Sequence, residues 1–157
     1  MLFLLNRNKI IKNIKKLIMK SIKNYIFEHI KTPDTTKAFV IIKPGFLNYE
    51  DEIYDYIKEH GFEMYDHTNT MKMSDSQIKE LYKMHKDKDF YDDLCKYMKD
   101  DIKAAIWGYK GDNDPIEEMN KIKDHFRNKY GKDDMKNVMH SSDTLKNVKR
   151  EANIIFN

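Results

Sequence analysis

The first regular pattern along the chain lies between residues 10 and 26 and has the period of a helix. Apolar residues recur there every three or four positions, at Ile10, Ile11, Ile14, Leu17, Ile18, Ile22 and Ile26. Lysines fill half of the intervening positions, at Lys12, Lys15, Lys16, Lys20 and Lys23, so the pattern predicts an amphipathic helix with one basic face. Residues 31–36 contain polar breakers and Pro33, which are typical of a linker. We therefore expect a basic N-terminal extension over residues 1–34 and a folded domain over residues 35–157.

Beyond the linker, stretches typical of strands and of helices alternate. Residues 38–42 and 102–107 are short apolar runs that predict buried strands. Residues 62–73, which lie between these two runs in the sequence, alternate imperfectly between apolar and polar positions and predict another strand. Residues 137–140 are short and polar, and they form either a fourth strand or a loop.

Helical patterns lie between these strands. Residues 50–60 are predicted to form a helix that ends before Gly61. The capping box Ser74-x-x-Gln77 opens the next helix, because its two side chains can satisfy each other's free backbone N–H groups. A further helical turn pattern covers residues 90–98.

Two helical patterns complete the chain. One runs from Pro115 to Gly131, and the other passes through residues 145–155 with Ser142 or Asp143 as its expected N-cap. The order of elements predicts an α/β fold, an α+β sandwich of the split βαβ type whose sheet is covered by helices.

Charge is distributed unevenly, which changes the meaning of the formal net charge of +3. Residues 1–33 hold eight Lys and Arg residues against Glu28 alone, which gives them +7 and leaves −4 on the other 124 residues. A net acidic domain offers no electrostatic footprint for DNA or RNA, so we expect no nucleic acid partner. For the basic helix three interpretations are open: a solvated or domain-docked helix, an organelle-targeting presequence, and a membrane-surface anchor.

Cysteine content and hydropathy bear on the compartment. Cys95 is the single cysteine, which excludes a disulfide framework and favours a reducing, intracellular environment; we expect it to be a small buried core residue. The cytoplasm is the simplest location, with mitochondrial or other organelle targeting by residues 1–33 as the alternative. No apolar run approaches the roughly 20 residues that cross a bilayer, so an integral membrane protein is not expected.

The most informative chemistry lies in the segment 137–143, which reads NVMHSSD. Its histidine, His140, is followed by short polar residues just before a helix, whose first turn offers free N–H groups and a positive dipole end to an anionic phosphate. Glu151 lies about two to three helical turns further on, where its carboxylate can reach the imidazole and fix its tautomer. The pattern predicts a phosphoryl-accepting histidine.

With Ile41-Ile42-Lys43-Pro44 early in the domain and Asn137-x-x-His140-x-Ser142-Asp143 near its end, the chain resembles the nucleoside diphosphate kinase family. Intermediate landmarks occur in family order: Leu81-Tyr82-x-x-His85, Asp89-Phe90-Tyr91, Lys96-Tyr97-Met98, Ala105-Ile106-Trp107, Arg127-x-x-Tyr130-Gly131 and Arg150-Glu151. The resemblance covers roughly residues 37–156. It implies a ferredoxin-like domain with an antiparallel sheet, which moves the terminal phosphate of a nucleoside triphosphate to a nucleoside diphosphate through a phosphohistidine.

The resemblance also assigns the catalytic roles. His140 matches the family's nucleophile, and Glu151 matches the carboxylate that supports it. Lys43 matches the lysine that contacts the sugar hydroxyl and the transferring phosphate, and Tyr82 matches a tyrosine beside the nucleophile. Without the resemblance, the alternative interpretation of Lys43 is a solvated cation, and that of His140 is a histidine in a surface loop.

Nucleotide-binding roles fall on further residues. Arg127 matches the arginine that grips phosphate, Asn137 the asparagine that bonds the sugar hydroxyl, and Phe90 the aromatic on which the base stacks. Stacking on one face requires no base-edge hydrogen bonds, so such a site accepts every nucleobase. Ser142 matches a residue that bonds the carboxylate and caps the helix. The alternatives are a surface ion pair for Arg127 and a core position for Phe90.

The implied cofactor is Mg²⁺ held through the nucleotide phosphates, with ATP as phosphoryl donor. No His, Cys, Asp and Glu cluster has the spacing of a protein metal site, so we expect the protein itself to supply none. The implied partners are nucleoside di- and triphosphates and further copies of the chain in a homo-oligomer.

The chain departs from the family pattern in several places. Gly45 directly follows the lysine-proline pair, where the family has an aspartate, and Ser141 replaces a common glycine. The family's second phosphate-binding arginine and a nearby threonine cannot be placed before Arg127, although Asn120 and Lys121 lie in that neighbourhood. The segment is also shorter, which speaks against the family's trimer-based hexamer.

The sequence therefore predicts an active nucleoside diphosphate kinase. The alternative is a catalytically weakened relative that binds nucleotide or a partner protein. A third interpretation is an interaction or membrane-surface module led by the basic helix.

Overall fold

A computed structural model describes the backbone of residues 2–29 and 36–157 and the side chains of residues 7–22 and 36–157. The chain divides into two compact units, Met1–Pro33 and Asp34–Asn157. The first contains one helix, α1 (Leu2–His29), which includes the predicted helical pattern. The predicted linker lies outside the described residues except for Thr36. Within the described part of the chain, no helix has the length and apolar character needed to cross a membrane.

The second unit is built on a four-stranded antiparallel sheet with the strand order β2-β3-β1-β4. Its strands are β1 (Lys37–Ile42), β2 (Phe62–His67), β3 (Lys103–Tyr109) and β4 (Met139–Ser141). In register, Ile41 of β1 lies opposite His140 of β4 and opposite Ala104 of β3. The short segment that was either a strand or a loop is therefore a strand, shifted by about two residues, because β1 offers it a pairing edge.

Five helices are described in this unit: α2 (Glu50–Glu59), α3 (Asp75–Leu81), α4 (Tyr91–Tyr97), α5 (Pro115–Tyr130) and α6 (Leu145–Phe156). Short 3₁₀ turns occur at Leu47–Tyr49 and Lys83–His85. The predicted fold class, an α/β sandwich with an antiparallel split βαβ sheet of the ferredoxin-like type and an added N-terminal helix, is confirmed.

Local signals in the sequence fix several helix ends. The Ser74 hydroxyl accepts the Gln77 N–H at 3.1 Å while the Gln77 side chain accepts the Ser74 N–H at 2.9 Å, which completes the capping box. Gly61 follows α2 with a φ of +88°, a conformation that glycine adopts without strain. Gly131 ends α5, where a Cβ would lie 2.4 Å from the Arg127 carbonyl oxygen.

The expected cap of the last helix was wrong. Thr144, rather than Ser142 or Asp143, is the N-cap of α6, and its side chain accepts the Asn147 N–H at 3.1 Å. The two predicted caps are engaged elsewhere, because the Ser142 hydroxyl donates to Glu151 and the Asp143 carboxylate accepts from the Asn147 amide.

Two smaller expectations also differ from the structure. β2 ends at His67 rather than at residue 73, and Met71 adds only an isolated bridge to Ile102. Cys95 is partly exposed rather than a core residue, because the buried position of α4 is the preceding Leu94.

The core lies against the sheet, with helices covering both of its faces. All six residues of β1 are buried, which is why its sequence is apolar almost throughout rather than alternating. Trp107 and Phe126 are fully buried beside Val40 and Ile42 on one face. The end of β1 and the adjacent β4 are thereby fixed in a rigid sheet, and the candidate site lies at this edge.

Candidate functional site

A cavity of about 590 Å³ opens at the ends of β1 and β4. It brings together six of the seven predicted site residues: Lys43, Tyr82, Phe90, Arg127, Asn137 and His140. The seventh, Glu151, is buried and hydrogen-bonded to His140. A neighbouring depression of about 660 Å³ contains no histidine, so we assign the chemistry to the first cavity.

His140 is held by a buried carboxylate. Its Nε2 lies 2.7 Å from Glu151 Oε2, and the Ser142 hydroxyl donates to the same oxygen at 2.5 Å. An ionised carboxylate only accepts hydrogen bonds, so Nε2 carries the proton and Nδ1 keeps its lone pair. Glu151 is only 4% exposed. The arrangement therefore fixes both the orientation and the tautomer of the ring.

The segment before His140 has a strained backbone. Val138 is buried with a φ of +81°, a region that a β-branched residue rarely adopts. The Met139 N–H donates to the Asn137 carbonyl at 3.0 Å across it, which forms a γ-turn. The Val138 carbonyl in turn accepts the Lys43 N–H at 2.9 Å. This turn ties the end of β1 to the histidine segment.

Lys43 and Asn137 meet inside the cavity. The Lys43 ammonium donates to the Asn137 side-chain oxygen at 2.8 Å and to the Met135 carbonyl at 3.0 Å. Burial, and then the nearby positive charge of Arg127, lower the pKa of Lys43 to about 8. Both of its acceptors are neutral, so the site holds a poorly compensated positive charge that favours an anionic ligand.

Arg127 lies in the last turn of α5 and reaches β4. Its Nε and one terminal nitrogen donate to the Met139 carbonyl at 3.2 and 3.0 Å. In the part of the chain that the structure describes, no carboxylate forms an ion pair with Arg127, which argues against the surface ion pair alternative. Burial lowers its pKa from the ordinary value. The remaining N–H groups of the guanidinium are available to a ligand in the cavity.

The Tyr82 hydroxyl is a buried donor that lacks a partner among the described residues. Tyr82 is 6% exposed, lines the cavity, and has its ring centroid 6.5 Å from that of His140. A buried hydroxyl without a partner is costly, and a phosphate oxygen in the cavity would satisfy it. Burial, and then the charge of Glu151, raise the pKa of Tyr82, so the hydroxyl stays a donor.

Phe90 lies at the rim of the cavity and is 46% exposed, so it is not a core residue. His85 packs near it with a ring separation of 5.7 Å, and Leu94 lies one turn further along. Neither His85 nor Leu94 was predicted from the sequence as a site residue. The i, i+4 spacing of Phe90 and Leu94 was a usable signal, because such residues share one face of a helix.

The segment before Arg127, in which no second phosphate-binding arginine could be placed, contains Asn120, Lys121 and Lys123. Lys121 forms an ion pair with Glu118 at 2.7 Å and does not line the cavity. Asn120 accepts hydrogen bonds from the Lys123 ammonium at 2.9 Å and from the Ser141 hydroxyl at 3.1 Å. Burial, and then Arg127, lower the pKa of Lys123. Lys123, which was not among the residues predicted from the sequence, is thus a half-buried cation near Arg127.

Few carboxylates line the cavity that could bind a metal ion. Asp133 and Asp134 line the cavity, but among residues 7–22 and 36–157 no group of three or more His, Cys, Asp or Glu side chains is arranged to hold a metal ion.

A family model, curated relatives and solved structures resemble this chain. The profile of the family described as nucleoside diphosphate kinase matches residues 36–157. A nucleoside diphosphate kinase of Persephonella marina is 28% identical over 133 residues, which cover 76% of this chain and 92% of that protein.

Solved structures of such kinases share the fold. The enzyme of Aquifex aeolicus superposes with a TM-score of 0.64 at 23% identity, covering 78% of this chain and 95% of that one. A halophilic enzyme from Halobacterium salinarum in complex with CDP superposes with a TM-score of 0.63 at 21% identity, covering 77% and 87%.

Proposed function

The chain belongs to the nucleoside diphosphate kinase family, and from this premise we propose that it transfers the terminal phosphate of a nucleoside triphosphate such as ATP to a nucleoside diphosphate. The observation that carries the proposal is the hydrogen bond from His140, which lines the cavity together with Lys43 and Arg127, to the buried Glu151 behind it. In this proposal His140 is the nucleophile, held in place by Glu151, and Lys43 and Arg127 are the cations that bind phosphate. Phosphoryl transfer requires both kinds of group.

The proposed reaction has two balanced halves. Nδ1 of His140 attacks the terminal phosphorus, and a nitrogen–phosphorus bond forms as the bond to the bridging oxygen breaks. The electron pair leaves with the nucleoside diphosphate, while Glu151 stabilises the positive charge that develops on the imidazole. An incoming nucleoside diphosphate then attacks the phosphohistidine with a terminal oxygen, which restores the lone pair of Nδ1.

Three side chains are proposed to position the phosphates. Lys43, Arg127 and Tyr82 line the cavity, and among the described residues the hydrogen-bond acceptors of the two cations are neutral oxygens rather than carboxylates. The Tyr82 hydroxyl supplies a neutral donor. Such donors stabilise charge that spreads over the transferring oxygens. Mg²⁺ bound with the nucleotide would neutralise charge on the phosphates, and Asp133 and Asp134, which line the cavity, would be the carboxylates available to it.

The nucleoside is proposed to lie toward the rim, with its sugar near Asn137 and its base on Phe90. We expect Phe90→Ala to weaken affinity about tenfold for purine and pyrimidine nucleotides alike, because stacking contributes about 1–3 kcal/mol without reading base edges. Fluorescence titration with ADP and CDP measures the effect. Tyr65→Ala, which alters a similarly exposed aromatic outside the cavity, is the control. Unchanged affinity for both nucleotides would remove the stacking role.

Nucleotide affinity is expected to fall as the pH rises above about 8. The pKa of Lys43 is lowered to about 8 in the empty site, while bound phosphate favours its ammonium form. Binding above this pH therefore takes up a proton, and affinity drops by up to about tenfold per pH unit. Lys43→Arg stays charged and should lose this dependence, whereas the surface change Lys121→Arg should keep it. Parallel profiles for wild type and Lys43→Arg would contradict the assignment.

A second candidate function is a nucleotide-binding relative with weakened catalysis. It is motivated by the family's second phosphate-binding arginine, which cannot be placed in this sequence before Arg127, and by the altered loops. Steady-state transfer from ATP to a nucleoside diphosphate separates the two candidates. Transfer with parallel double-reciprocal plots supports the kinase, whereas protection by nucleotide against heating without transfer supports the relative.

A further inference from the structure

Helix α1 exposes an apolar face that the phosphotransfer site does not use. Over its described residues the exposed aliphatic side chains range from 42% exposure for Ile11 to 65% for Leu17. The whole set is Ile10, Ile11, Ile14, Leu17, Ile18, Met19 and Ile22. Contiguous exposed apolar surface of this kind marks an interaction site more often than a solvated surface.

The helical period collects all of these residues except Met19 on one side. At about 100° per residue, the isoleucines and Leu17 fall within an arc of roughly 140°, wider than the seam of a two-stranded coiled coil. Lys9, Lys12, Lys16 and Lys20 lie on the opposite side. A wide apolar face opposite a lysine face is the pattern of a helix that lies in a membrane interface.

Charge decides between a lipid surface and a second copy of the helix. Residues 7–22 contain six Lys and Arg residues and no Asp or Glu, so two such helices would repel each other. Anionic lipid headgroups complement this charge, with each lysine near the surface contributing attraction. Residues 34–157 carry a net formal charge of −4, so electrostatic attraction to such a surface comes from the basic extension.

We propose that α1 binds the surface of membranes containing anionic phospholipid. Ile10, Ile11, Ile14, Leu17, Ile18 and Ile22 insert at the boundary between headgroups and acyl chains, while Lys9, Lys12 and Lys16 stay at the level of the lipid phosphates. The described part of α1 does not have the apolar length of a spanning helix, so it lies along the surface. The inference is independent of the proposed phosphotransfer, since it uses no cavity residue.

The test is co-flotation of the full-length chain with vesicles of phosphatidylserine and phosphatidylcholine, and with vesicles of phosphatidylcholine alone. We expect tighter binding to the anionic vesicles and loss of that preference as salt is raised. Ile14→Gln with Ile18→Gln should lower the partition coefficient at least about tenfold, because two inserted side chains are removed. Lys12→Gln with Lys16→Gln should lower it by a similar factor for anionic vesicles only.

Met19→Gln is the matched control, because Met19 is 54% exposed and Ile18 is 52% exposed on different sides of the same turn. It should change the partition coefficient by less than about twofold. Helicity measured by circular dichroism on vesicles should be similar for Met19→Gln and wild type. Absence of binding to anionic vesicles, an equal loss in Met19→Gln, or self-association that Ile14→Gln with Ile18→Gln abolishes without vesicle binding would overturn the proposal.

Discussion

Replacing His140 with glutamine should lower phosphotransfer by about 10⁴-fold or more, because the amide has no lone pair able to attack phosphorus at the position of Nδ1. The ring is partly exposed to the cavity, with 22% of its side chain accessible, so the substitution should leave the fold intact. Nucleotide protection against thermal unfolding should persist, since Lys43, Arg127 and Phe90 are unchanged. Initial rates with ATP and a nucleoside diphosphate measure the effect.

Two other histidines provide controls. His67→Gln alters an exposed histidine at the end of β2, outside the cavity, and should retain full activity. His85 lines the same cavity, and His85→Gln should retain the covalent intermediate. Phosphotransfer that survives in His140→Gln and disappears in His85→Gln would move the nucleophile to His85 and contradict the proposed mechanism.

Glu151→Gln should lower kcat by about 10²-fold or more with little change in KM. The carboxylate accepts the Nε2 proton of His140, and an amide of the same shape no longer enforces that tautomer or stabilises the developing imidazolium. Single-turnover formation of the phosphoenzyme measures this step directly. Nucleotide affinity should be retained, because Glu151 lies behind the histidine and does not line the cavity.

Two variants separate positioning from a general structural effect. Ser142→Ala removes the other hydrogen bond to Glu151 Oε2 and should reduce kcat only a few-fold, because the carboxylate and its bond to His140 remain. Glu118→Gln changes a carboxylate on α5 outside the cavity and should be neutral. Wild-type phosphoenzyme formation in Glu151→Gln would show that the carboxylate does not set the tautomer.

The fold and much of the candidate site could be predicted from the sequence, because they depend on local patterns of apolar and polar residues. The apolar run of β1 predicted a buried strand, and that strand places Lys43 at its end. Helical spacing brought Glu151 within reach of the segment before α6, as the contact with His140 shows. In both cases a regular element fixes the position of a polar side chain.

Other features depended on tertiary contacts and left no usable local signal. The γ-turn gives Val138 a positive φ, which β-branched residues rarely adopt. In this turn the Val138 carbonyl accepts a hydrogen bond from the Lys43 N–H, a contact between distant parts of the chain. Thr144 is the N-cap of α6, because the Ser142 hydroxyl donates a hydrogen bond to Glu151 instead of capping the helix. Lys123 was indistinguishable from the other lysines until α5 placed it beside Arg127.

The central claim is that His140 itself becomes phosphorylated. Incubation of the full-length chain with Mg²⁺ and ATP, followed by intact mass spectrometry, should reveal one phosphoryl group that is labile in acid and stable in base. Addition of a nucleoside diphosphate should remove it, and His140→Gln should never acquire it. A wild-type chain that binds ATP without gaining this adduct would contradict the account.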